Sequence, residues 1–205
     1  MASNVGIANL ALQILGVSTK LESLTQDNPN ARAINSCFDS VREGLLRRFP
    51  WNFAKKRASL PALTEQTVWG NLNQYTLPVD YLRLLRPTDR QTDWEIEAGD
   101  GADVIVTRDT APLDIRYIAD ITDPAQFDSE FVMVFAAMLA KQTAQEITES
   151  AAKQKIADDR YDMELAIAKN ANAFERAPDA AIPYDYLIAM QSGGGWWTGS
   201  GWGSF

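Results

Sequence analysis

Residues 42–58 read REGLLRRFPWNFAKKRA, and the proline at position 50 limits what can be built around them. Proline lacks an N–H and its ring pushes the preceding residue away from helical angles, so a helix arriving from the N-terminal side must stop near Phe49. The chain then passes directly into an extended aromatic segment, Trp51-Asn52-Phe53. The simplest use of Trp51 and Phe53 is to plug a helix-to-sheet junction as core residues. Six basic residues here (Arg42, Arg47, Arg48, Lys55, Lys56 and Arg57) stand against Glu43 alone, so the stretch carries +5 and the rest of a −8 chain carries −13. A basic collar on an acidic body needs a physical explanation.

On either side of the junction the sequence changes period. Ser3 or Asn4 caps a first helix over 3–16, with Val5, Ala8, Leu12 and Leu15 on one stripe and Ile7, Leu10 and Ile14 beside it. Gly16 suits the left-handed position that ends it. Asn28-Pro29 opens a second helix over 28–49, with an Asx cap and proline at its first turn. Its apolar positions Ile34, Phe38, Val41 and Leu45 recur at three- and four-residue steps. Residues 51–118 are β-rich instead, with candidate strands at 51–60, 74–77, 81–86, 94–98, 103–108 and 114–118. Trp94, Ile96 and Ala98 alternate with Glu95 and Glu97, which predicts one buried and one acidic face. Gly99-Asp100-Gly101 then turns the chain back as a hairpin. Pro61, Pro78, Pro87 and Pro112 argue against one large continuous sheet.

Helix returns over 124–147, where Phe127, Phe131, Val134, Phe135, Met138 and Leu139 make an apolar face too broad for a surface helix. It is read as the central core helix. Ser150 caps a fourth, alanine-rich helix over 150–176, with Ile156, Met163, Ile167 and Phe174 as its inward stripe. The expected fold is α+β: a bundle of about four helices, an inserted small antiparallel β-rich region, and an extended C-terminal tail. Residues 1–177 form the core and 178–205 the tail.

Composition narrows the chemistry. The 205 residues contain no histidine and one cysteine, Cys37. A Ser-His or Cys-His nucleophile is therefore impossible, and the commonest zinc ligand is missing. Cys37 cannot form an internal disulfide and falls within a helical apolar stripe, as a small core residue would. No secretory signal is expected from the first residues, and the longest apolar run, 131–140, is about half the ~20 residues a membrane span needs. Asp120, Asp123, Asp128 and Glu130 read as capping and dipole pairing at a helix start, and Asp158, Asp159 and Asp162 as a solvated face. No catalytic, cofactor or metal residues are assigned.

The last thirteen residues, GGGWWTGSGWGSF, hold six of the twelve glycines and three of the six tryptophans. Glycine-rich chain resists burial in a core, whereas tryptophan dominates interface hot spots. The combination predicts a tether whose anchors Trp196, Trp197, Trp202 and Phe205 dock on a partner or a neighbouring copy. The collar has three readings: phosphate contacts, a solvated face, or contact with the acidic flank of a second copy. The acidic body opposes nucleic-acid binding by the whole chain. An intersubunit role for Arg42, Arg47, Arg48, Lys55, Lys56 and Arg57 is preferred, with the solvated face left open.

An ordered set of pieces resembles the tail tubular protein A family, the head-to-tail adaptors of short-tailed phages. It comprises Leu15-Gly16, Pro29-Asn30-Ala31-Arg32, and Arg47-Arg48-Phe49-Pro50-Trp51-Asn52-Phe53-Ala54. Leu77-Pro78-Val79-Asp80-Tyr81-Leu82 follows, then Ile115-Arg116-Tyr117-Ile118, Asp123-Pro124, Phe127-Asp128 and an alanine-rich helix pair. The likeness covers residues 3 to 175 and leaves the tail outside it. It implies a structural virion protein, made in the host bacterial cytoplasm and placed at the tail neck. There it would form a ring of twelve copies between the portal protein and a tail nozzle resembling tail tubular protein B. Double-stranded DNA would pass through without specific binding, and neither membrane nor cofactor is involved. The alternatives are a tail-associated cell-wall glycan hydrolase using two carboxylates, or a DNA-binding packaging or regulatory module.

Overall fold

A computed structural model describes residues 2–65, 67, 69, 70, 72–85 and 93–175, and every statement below concerns these residues. Four α-helices, α1 (Asn4–Ile14), α2 (Pro29–Arg48), α3 (Ser129–Thr148) and α4 (Ala151–Phe174), flank six strands. The strands are β1 (Lys55–Leu60), β2 (Asn73–Thr76), β3 (Tyr81–Leu84), β4 (Trp94–Ala98), β5 (Asp103–Thr107) and β6 (Leu113–Ala119). They form two antiparallel three-stranded sheets, ordered β1-β6-β3 and β2-β5-β4. The fold is α+β.

Capping chemistry sets the helix boundaries. Ser3, Asn28, Asp128 and Ser150 each accept a backbone N–H in the first turn of α1 to α4 respectively. The second helix stops where Pro50 requires, at Arg48, with Phe49 already extended. Two boundaries differ from expectation. Residues 51–54 are not strand: Asn52–Ala54 form a 3-10 turn closed by the Ala54 N–H on the Trp51 carbonyl, and pairing with β6 begins only at Lys55. The third helix does not begin at 124. Pro124–Gln126 make a separate 3-10 turn capped by Asp123, and α3 starts afresh after Asp128. The turn between β4 and β5 needs its glycine, since a Cβ on Gly99 would meet both the Ala102 carbonyl oxygen and Val104 Cγ1 at 2.7 Å.

The core helix is α3, which contacts α1, α2 and α4. Phe131, Val134, Phe135, Leu139 and four alanines (136, 137, 140, 144) on it are fully buried. On α1 the buried line is Ile7, Ala8, Ala11, Leu12 and Leu15, while Val5 lies only partly covered beside it. The stripe expected to face inward on α4 does the reverse. Ile156, Met163, Ile167 and Phe174 are 57, 47, 46 and 89% exposed, and the helix buries Ala157, Tyr161, Glu164, Ala168 and Asn172 instead. Small residues on both helices let α3 and α4 approach closely, which leaves no room for the larger side chains between them. The β4 expectation also fails: Trp94 is partly covered, but Ile96 and Ala98 are exposed along with Glu95 and Glu97. This strand lies at a sheet edge, and β5 supplies the buried residues Val104, Ile105 and Val106.

Candidate functional site

The helix-to-sheet junction ties together segments distant in sequence. Trp51 is 2% exposed, and its indole Nε1–H donates to the Leu45 carbonyl at 3.0 Å, a second donor beside the Phe49 N–H that closes α2. Its ring meets Phe49 and Phe131 edge-on, with centroids 5.1 Å away in each case. Phe53 packs against Phe131 at 5.1 Å and Phe127 at 6.1 Å. Trp51 and Phe53 therefore join residues 49–53 to residues 127–131 through one aromatic cluster. A cavity of about 440 Å³ opens beside them, lined by Phe53, Asp128, Glu130, Asn172 and Glu175 among others. Two of its carboxylates already hold structural hydrogen bonds: Asp128 caps α3, and Glu175 accepts from Asn52 Nδ2 at 2.8 Å. Among the described residues, no group of three or more Cys, Asp or Glu side chains is placed to hold a metal ion.

The collar divides into four parts. Arg42 turns inward: it is buried, and its guanidinium binds Asp120 and the Ile121 carbonyl, with Asp39 and Glu43 alongside. It ties α2 to the segment after β6 and presents no surface to a neighbour, which corrects its assignment as an intersubunit residue. Arg47 and Arg48 stay exposed but reach back, Arg47 to the Leu82 carbonyl at 2.9 Å and Arg48 to the Tyr161 hydroxyl at 3.2 Å. Lys56 pairs with Asp80 at 2.7 Å, and Asp80 also accepts from the Tyr117 hydroxyl at 2.9 Å. Burial pushes the Asp80 carboxyl up, but the hydrogen bonds from Lys56 and Tyr117 and the charge of Lys56 outweigh it and hold the group below its ordinary value. Burial and the adjacent Asp80 carboxylate push Tyr117 up to about 12.

Lys55 and Arg57 point to the other side of the sheet. In the β1-β6 register Arg57 lies directly opposite Arg116, and Lys55 opposite Ile118, which also faces Arg83 on β3. Residues opposite one another or two apart share a face. Lys55, Arg57, Arg83 and Arg116 therefore form one basic row, with Asp114 on the same face. Arg57 and Arg116 are exposed like charges directly across the ladder, an arrangement that works against the fold. Contiguous reading of the sequence missed Arg83 and Arg116, because only strand register brings them to this face.

Trp196, Trp197, Trp202 and Phe205 lie outside the described residues. No described helix is long and apolar enough to cross a membrane. Comparison of the chain with known protein families and with curated proteins finds no match to either. The fold and this surface define an α+β protein whose helix bundle carries one sheet with a basic row on one face.

Proposed function

We propose that this chain is a head-to-tail adaptor of a short-tailed phage, a structural virion protein that forms a ring between portal and tail nozzle. One observation supports the reading most. The dispersed pieces that resemble tail tubular protein A meet in space. Trp51 and Phe53 pack on Phe127 and Phe131, Asp80 joins Lys56 to Tyr117, and Arg47 bonds Leu82. Pieces brought together in this way form one structural unit, as the adaptor reading expects.

The basic row suits such a ring. A ring is built from heterologous contacts, in which one surface meets a different surface of the next copy. Lys55, Arg57, Arg83 and Arg116 on a chain of net charge −8 offer a face that an acidic neighbour would select by orientation. Twelve acidic copies would repel phosphate, so genome DNA would slide through the lumen without sticking. The tail's aromatic anchors would dock on the portal or a neighbouring copy. The test is electron microscopy of the purified protein mixed with a portal. A twelve-fold collar beneath the portal is expected; a channel lined by the basic row, or no ring at all, would overturn the reading.

A further inference from the structure

The exposed side chains on α4 form a seam. At 100° per residue, Ile156, Met163, Ile167 and Phe174 fall within an arc of about 40°, and they span about 27 Å along the axis. With Arg160 and Asn170 they occupy successive a and d positions of a heptad pattern, the narrow stripe by which one helix packs on another. We infer that α4 docks antiparallel on the α4 of a second copy of this chain, about a two-fold axis passing near Leu165. The inference does not rest on the adaptor reading.

Three observations point to a second copy. First, the seam is self-complementary: about position 165, Ile156 is placed opposite Phe174, Met163 opposite Ile167, and Arg160 opposite Asn170. The single polar layer would set the register. Arg160 is part-exposed there, with its Nη2 holding Glu164 at 2.6 Å. Second, Ala166 and Ala173 flank the stripe on one side and Ala171 on the other, so two helices can approach closely. Third, among the described residues no other helix offers a matching face. The exposed face of α2 is polar (Arg32, Asn35, Asp39, Glu43) and α1 has 11 residues. The chain beyond 175 has Pro178 and Pro183, then glycines from 193, and so offers fewer than three uninterrupted helical turns against five in the seam. Two facing strips about 27 Å long and about 11 Å wide come to roughly 600 Å², below the ~1,000 Å² of a permanent interface, so the dimer is a weak one.

The test uses the full chain without any portal. Sedimentation equilibrium should show a monomer–dimer equilibrium with a midpoint on the order of micromolar to tens of micromolar. Ile167→Asp should weaken it at least about tenfold without lowering the melting temperature of the dilute monomer, since the side chain is half-exposed there. With Cys37 replaced by serine, Ala166→Cys should oxidise to a disulfide-linked dimer, because position 166 faces its own copy across the axis. Lys155→Cys, away from the axis, should not. Monomer at every concentration, as expected if the tail or a portal helix covers the seam, would overturn the inference. Larger oligomers without a 166–166 link would do the same.

Discussion

Asn172, near the end of α4, closes onto Asn52 in the turn after Pro50, 120 residues away in sequence. The Asn52 backbone N–H donates to Asn172 Oδ1 at 2.8 Å, and Asn52 Nδ2 donates to the Asn172 carbonyl at 2.9 Å. Asn172 Nδ2 reaches the Pro50 carbonyl at 3.4 Å. The last turn of the bundle is thus fastened to the first turn of the β-rich region. Asn172→Ala strands the Asn52 N–H in a part-buried site and should cost about 1–3 kcal/mol. The measurement is the midpoint of urea unfolding, and an unchanged midpoint would show that the link contributes nothing.

Two substitutions at Trp51 separate packing from hydrogen bonding. Trp51→Ala empties a site bordered by Phe49, Phe53 and Phe131, and large-to-small core changes of this kind cost about 3–5 kcal/mol. Trp51→Phe keeps most of the ring volume but leaves the Leu45 carbonyl without its indole donor. It should therefore cost distinctly less, about 0.5–1.5 kcal/mol, because the Phe49 N–H still reaches that carbonyl. Equal losses for the two would mean that the ring's bulk is not what holds the junction.

Most of the architecture was readable in the sequence because its signals are local. Asn28-Pro29, Pro50, Ser150 and Gly99 act within a turn of themselves, and each element they bound stands within a few residues of expectation. What failed depends on a neighbour. The face that α4 buries escapes a rule that points large apolar residues inward, because Ala157 and Ala168 are buried on it while Ile156, Met163, Ile167 and Phe174 stay exposed. The basic row needed strand register to bring Arg83 and Arg116 beside Lys55 and Arg57. Arg42 looked like its collar neighbours, and only the path of the chain after β6 brings Asp120 to it.

The Lys56–Asp80–Tyr117 link should make stability depend on pH at both ends. Asp80 sits below its ordinary 3.8 in the folded chain, so the unfolded chain takes up its proton first as pH falls. Its contribution is present above that value and is lost as pH drops through the lower folded value. Tyr117 runs the other way: its contribution holds below pH 10.0 and disappears as pH rises from there towards about 12. Asp80→Asn should flatten the acid limb of the melting temperature against pH. A limb of unchanged steepness would assign it to other carboxylates.

Arg42 and Arg57 belong to the same basic stretch, yet substituting them should have opposite consequences. Arg42→Ala leaves Asp120 without its partner; because Asp120 is a quarter exposed, the loss should be about 3 kcal/mol, the low end for a broken buried pair. Arg57→Glu instead turns a cross-strand repulsion with Arg116 into an attraction, and should stabilise the isolated chain by about 0.2–1 kcal/mol at low salt. If the basic row meets an acidic neighbour in a ring, the same substitution should impair collar formation on a portal while the monomer melts at the same or a higher temperature. Loss of assembly without loss of stability is what an interface residue produces. Normal assembly by Arg57→Glu would leave the row as a solvated face and shift the subunit contact elsewhere on the molecule.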